Sequence, residues 1–64
     1  MHPAISHVLQ YFQYSHLPDR LQPISRQFSE LAEVVAERAP ESQETTVALR
    51  KLLEAKDAAV RASI

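Results

Sequence analysis

The sequence predicts an all-α protein: a short N-terminal helix followed by a long antiparallel helical hairpin, assembling into a homo-oligomer. Three observations carry that expectation. Pro3, Pro18, Pro23 and Pro40 cut the chain into segments, because proline biases the residue before it away from helical geometry. Within each segment apolar residues recur at steps of three and four, the period of one buried helical stripe. The chain also contains no glycine. It therefore has no Gly-rich phosphate loop and no glycine-dependent tight turn, which leaves its chemistry to side chains presented by helices.

The first helix is expected over residues 3–14. Proline is tolerated in a first turn, and Ile5, Val8, Leu9 and Phe12 share one stripe while His7, Tyr11, Tyr14 and Ser15 project from another sector. The second is expected over 23–39, with Ile24, Phe28, Leu31 and Val35 in a heptad-like seam and Pro40 ending it. The third is expected over 43–62, after Ser42 as N-cap and with Glu44 at the positive end of the helix dipole. Leu49, Leu52, Leu53 and Val60 supply its bulk. Ala48, Ala55, Ala59 and Ala62 form a row of small residues where another helix can approach. Two adjoining stripes predict two packing partners: the second helix across the short turn, and a neighbouring subunit. Arg50, Glu54, Asp57 and Arg61 share the remaining polar face, with Asp57 and Arg61 spaced for a solvent-exposed pair.

At 64 residues the chain is one domain, spanning 1–64, with 45% apolar and 23% charged residues. A domain of about 60 residues buries only about 60% of its unfolded surface and commonly gains stability by self-association. Any pocket is then expected between subunits. Seven basic side chains face eight acidic ones, so no broad basic surface exists to release counterions from a nucleic-acid polymer; a single small nucleotide is not excluded. The absence of cysteine removes disulfides, zinc knuckles and thiol nucleophiles, and a cytosolic location is the default. Neither a membrane span nor a signal peptide is expected.

The first eighteen residues carry no Asp, Glu, Lys or Arg, yet hold all three histidines, both tyrosines and one of the two phenylalanines. Tyr11, Phe12 and Tyr14 offer flat faces, and stacking a base on an aromatic side chain is worth about 1 to 3 kcal/mol. The plainer alternative places Phe12 in the core and the tyrosines at an interface between copies. Arg26 stands in the first turn of the second helix, where free amides and the dipole favour an anion. A guanidinium there can grip a phosphate with two N–H groups or stack on a base; otherwise it is a solvated surface arginine. No two of His2, His7 and His16 have the spacing of helical metal ligands, and no nucleophile motif is present. Neither a metal, a cofactor nor catalysis is expected.

The strings HLPDRLQPISRQF, from His16 to Phe28, and TVALRKLLEAKDAAVRA, from Thr46 to Ala62, together with the opening HPAISHVLQYF from His2 to Phe12, resemble the phage anti-CBASS cyclic-oligonucleotide sponges. The helical hairpin domain of that family also occurs in a class of Thoeris anti-defence sponges. The resemblance implies a hexamer that binds immune signalling nucleotides without cutting them and so starves the downstream effector in the cytoplasm of the infected bacterial host. It also implies a cyclic dinucleotide pocket shared by two protomers, with a first-helix tyrosine matching Tyr11 and an early second-helix basic residue matching Arg26. Family members carry lysine at that basic position, so Arg26 keeps the charge and changes the shape of the donor. Some members bind cyclic trinucleotides near a threefold axis, where a late arginine resembles Arg61.

The leading expectation is thus a non-enzymatic sponge for cyclic dinucleotides, and for cyclic trinucleotides as a second class of ligand. Its rivals are a structural or adaptor helical module without a nucleotide ligand and, disfavoured by charge, a small nucleic-acid-binding regulator. No membrane partner is expected.

Overall fold

The computed structural model describes residues 2–64, which contain three α-helices and no strand. Helix α1 spans Pro3–Leu9 and runs into a single 3-10 turn, Gln10–Phe12; α2 spans Gln22–Arg38 and α3 spans Gln43–Ala62. Helices of 17 and 20 residues are about 25 and 30 Å long at 1.5 Å per residue. They fit a body of 34 × 17 × 16 Å only along its long axis. A four-residue connection then returns α3 beside α2, its most extensively packed neighbour, while α1 and the 3-10 turn pack against both.

Each boundary has a local cause. His2 caps α1, its Nδ1 accepting from the amide of Ala4 at 3.0 Å, and Pro3 occupies the first helical position where no donor is missed. Ser42 caps α3, its Oγ accepting from the amide of Thr45 at 3.2 Å, with Glu44 in the first turn. The buried Thr45 hydroxyl in turn donates to the Pro40 carbonyl, which fixes the connection between α2 and α3. At the other end of α3, Arg20 reaches from the loop before α2 to donate to the Ser63 carbonyl at 2.8 Å, and the Ser63 hydroxyl donates back to Ala59. No described residue has positive φ. A chain without glycine makes all its described turns from right-handed and extended conformations.

The first segment differs from its expected run to Tyr14. The α-helix stops at Leu9 and tightens into the 3-10 turn, after which Gln13 is extended. Three residues per turn place successive side chains about 120° apart. Phe12 points inward with only 1% exposure, and Tyr11 points outward with 52%.

Ile5, Val8 and Phe12 form the core with Ala32, Ala36 and Leu49, flanked by Leu9, Phe28, Val35, Leu52 and Leu53. On α2 the buried positions are Ser25, Ala32 and Ala36, whereas Ile24 and Leu31 of the expected seam are exposed. The contact face is turned by roughly 90° about the helix axis from the line of large residues, at about 100° per residue. Small side chains sit at the closest approach, and Phe28 and Val35 fill the margin. Ile24, Leu31 and Val34 remain as an exposed apolar strip beside the core face. On α3, Ala48, Ala55 and Ala62 are exposed and Ala59 is half-buried.

Two substitutions probe this packing. Leu49→Ala empties a fully buried position and should lower the unfolding free energy by about 2 to 5 kcal/mol. The Ser25 hydroxyl is fully buried with no hydrogen-bond partner among the described residues, so Ser25→Ala should raise stability by about 1 kcal/mol. Denaturant unfolding at one fixed protein concentration measures both, and a loss of stability in Ser25→Ala would mean that the hydroxyl is satisfied in solution.

Candidate functional site

The outward turn of Tyr11 places it on the wall of a cleft of about 300 Å³ between the 3-10 turn, the following loop and α3. Gln10, Tyr11, Gln13 and His16 form one side, and Leu53, Lys56 and Asp57 of α3 form the other. The Tyr11 ring is steadied by His7, one turn earlier on α1, with ring centroids 5.6 Å apart and planes at 80°. His7 is itself linked to Gln10 by a 3.1 Å hydrogen bond between its Nδ1 and the Gln10 Nε2. An edge-to-face pair of this kind contributes about 0.5 to 1.5 kcal/mol beyond area burial in well-packed settings. Here it serves to orient a ring that is half in solvent.

Lys56 is the cation of the cleft. It lies seven residues after Leu49, in the stripe that α3 otherwise fills with Leu49, Leu52, Leu53 and Val60. Its side chain is only 13% exposed, and its Nζ meets the Asp57 Oδ1 at 2.8 Å. A lysine in an apolar stripe covers its aliphatic stem and carries its ammonium to the nearest polar opening. Lys56 lines the Tyr11 cleft. The expected pairing of Asp57 with Arg61 is not the contact Asp57 makes; its carboxylate is engaged by Lys56.

Arg26 does not line this cleft. It stands in the first turns of α2 on the solvent face shared with Glu30, Glu33 and Glu37, and its Nε donates to the Glu30 Oε1 at 2.9 Å. The Glu30 hydrogen bond, then the Glu30 charge, then Tyr14, push the guanidinium above its already high ordinary pKa. Arg26 therefore stays cationic at any pH a nucleotide ligand would meet. Arg61 is exposed in the last turn of α3 and also lies outside the cleft. Within one protomer Tyr11 is thus joined by Lys56 and His16, and neither Arg26 nor Arg61 reaches it.

A second, larger depression of about 510 Å³ lies where the start of α1 meets the start of α3, among His2, Glu41, Ser42, Glu44 and Arg50. Its carboxylates and capping side chains serve the helix ends. Among the described residues no three His, Asp or Glu side chains converge as metal ligands would, and no helix is long and apolar enough to cross a membrane.

Lys56 and His16 are the site residues that sequence reasoning missed. The signal for Lys56 was present: a charged residue in register with the apolar stripe of α3, where leucine or valine would continue the pattern. No protein-family model, curated protein or solved structure matches the chain.

The geometry of Arg26 generates a prediction. Because its guanidinium is already held by Glu30, a phosphate must compete with that carboxylate. If Arg26 contacts a cyclic dinucleotide, as the family resemblance implies, Glu30→Gln should tighten binding of cyclic GMP-AMP by about threefold. Calorimetry showing equal affinities for Glu30→Gln and the unmodified chain would take Arg26 out of the site.

Proposed function

We propose that the protein is a non-enzymatic sponge that binds and sequesters cyclic dinucleotides such as cyclic GMP-AMP, blocking activation of a CBASS effector during phage infection. The observation that carries the reading is Tyr11: an aromatic ring held half-exposed at a cleft by its neighbours, in a segment whose string resembles the family's opening helix. The ligand would stack a base on Tyr11 and place phosphate against Arg26 of another copy, since Arg26 does not line the Tyr11 cleft of its own protomer.

Assembly follows from the same reading. The exposed strip of Ile24, Leu31 and Val34 and the open alanine row of α3 are the surfaces that neighbouring copies would cover in a hexamer. A ligand with two related halves suits a pocket made by two copies of one surface, and a threefold ring with Arg61 near its axis would suit a cyclic trinucleotide. The protein would hold these ligands intact in the cytoplasm of the infected host. The exposed strip also fits the adaptor reading, in which another protein covers it and no nucleotide binds.

Calorimetry separates the two. Tyr11→Ala and Arg26→Ala should each weaken cyclic GMP-AMP by about tenfold or more, as expected for loss of one stacked base or one charge-assisted contact. Heat denaturation of the complex should return intact nucleotide. No heat with a panel of cyclic nucleotides would favour the adaptor, and a linearised product would contradict the non-enzymatic reading. Sedimentation at several concentrations should show an oligomer; a stable monomer would count against the shared pocket.

A further inference from the structure

The position of Lys56 calls for an explanation that packing alone does not give. Leucine, methionine or valine would continue the apolar stripe of α3, and Lys, Glu, Arg and Asp are almost never fully buried unless paired. Here a largely buried lysine, its Nζ held by Asp57, lines a cleft whose opposite wall is an oriented tyrosine. The remaining lining residues are Gln10, Gln13 and His16, which carry hydrogen-bonding side chains, and the apolar Leu53.

We propose that this cleft is a binding site for one nucleoside monophosphate unit, its base against the Tyr11 ring and its phosphate on the Lys56 ammonium. This rests on the nucleotide reading above for the chemical class of the ligand and assigns it a second cation that belongs to the same protomer as Tyr11. The cleft volume of about 300 Å³ lies at the lower end of small-molecule sites. That suits half of a cyclic dinucleotide and not the whole. Asp57 is the built-in competitor: its carboxylate occupies Lys56 at 2.8 Å and gives way when phosphate arrives. The glutamines and His16 then face the base edge and the ribose, where they set which base is preferred.

The arrangement makes two substitutions move affinity in opposite directions. Lys56→Met keeps the stem and continues the apolar stripe, so it should fold as well as the unmodified chain while weakening cyclic GMP-AMP by about tenfold. Asp57→Asn removes the competitor and should tighten binding by about threefold. Glu37→Gln, the same charge change on the solvent face of α2, should leave affinity unchanged. Calorimetry on the full chain reads all three, with thermal melts confirming the fold, and NMR titration of the unmodified chain with GMP reads the cleft directly through Tyr11, His16 and Lys56 resonances.

Unchanged cyclic GMP-AMP affinity in both Lys56→Met and Asp57→Asn would overturn the assignment and leave the sponge reading standing, with Lys56 reduced to a packing residue. Equal tightening by Glu37→Gln would also overturn it, because bulk charge would then suffice. If the unmodified chain ignores cyclic GMP-AMP but GMP shifts the Tyr11 and Lys56 resonances, the cleft assignment holds and the sponge reading fails. If GMP shifts neither residue, the cleft assignment fails whatever the cyclic dinucleotide does.

Discussion

The structure depends on the burial of Phe12 in a single 3-10 turn. A pair of helices this short cannot enclose a core by itself, and α1 with the 3-10 turn closes it by inserting Ile5, Val8 and Phe12 against Ala32, Ala36 and Leu49. Because the chain tightens to three residues per turn at that point, sinking Phe12 forces Tyr11 to face away from the core. The same geometry that completes the fold therefore presents the aromatic surface of the candidate site. Burial of a phenylalanine contributes about 1.5 to 3 kcal/mol, which is ample to hold one exposed neighbour in place.

A second constraint is close packing between α2 and α3. Ser25, Ala32 and Ala36 line the contact face of α2, so the two helices meet through small side chains and the bulk comes from α3 and α1. Larger residues of α2 are displaced to the flank, where Ile24, Leu31 and Val34 stay open. On α3 the stripe is interrupted by Lys56, which leaves a polar opening beside an otherwise apolar seam. Both candidate cations are already engaged by carboxylates, Arg26 by Glu30 and Lys56 by Asp57. In the proposed reading, a phosphate would displace the acid from each of these two cations, a route to selectivity that needs no basic surface.

Much of this was legible in the sequence. The apolar stripe of α1, the inward Phe12, the outward Tyr11 and the Ser42 cap all follow from spacing and residue type. The end of α1 was not, because Tyr14 continues a helical pattern that the 3-10 turn and the extended Gln13 interrupt. The face of α2 was misplaced for a physical reason: a reading weighted by hydrophobicity follows Ile24 and Leu31, whereas close approach selects Ser25, Ala32 and Ala36. Lys56 was hidden by convention, since a lysine amid leucines reads as a solvated interruption until the covering loop is seen. That Arg26 does not line the Tyr11 cleft of its own protomer lies beyond any one-chain pattern, as does the way copies would bring the two together.

The most direct test of the account is a crystal structure of the protein with cyclic GMP-AMP. The account predicts a base lying on Tyr11, a phosphate at Lys56 of the same protomer, and Arg26 of an adjoining copy on the other side of the ring. Nucleotide bound away from Tyr11, with the 3-10 turn and its cleft unoccupied, would contradict it.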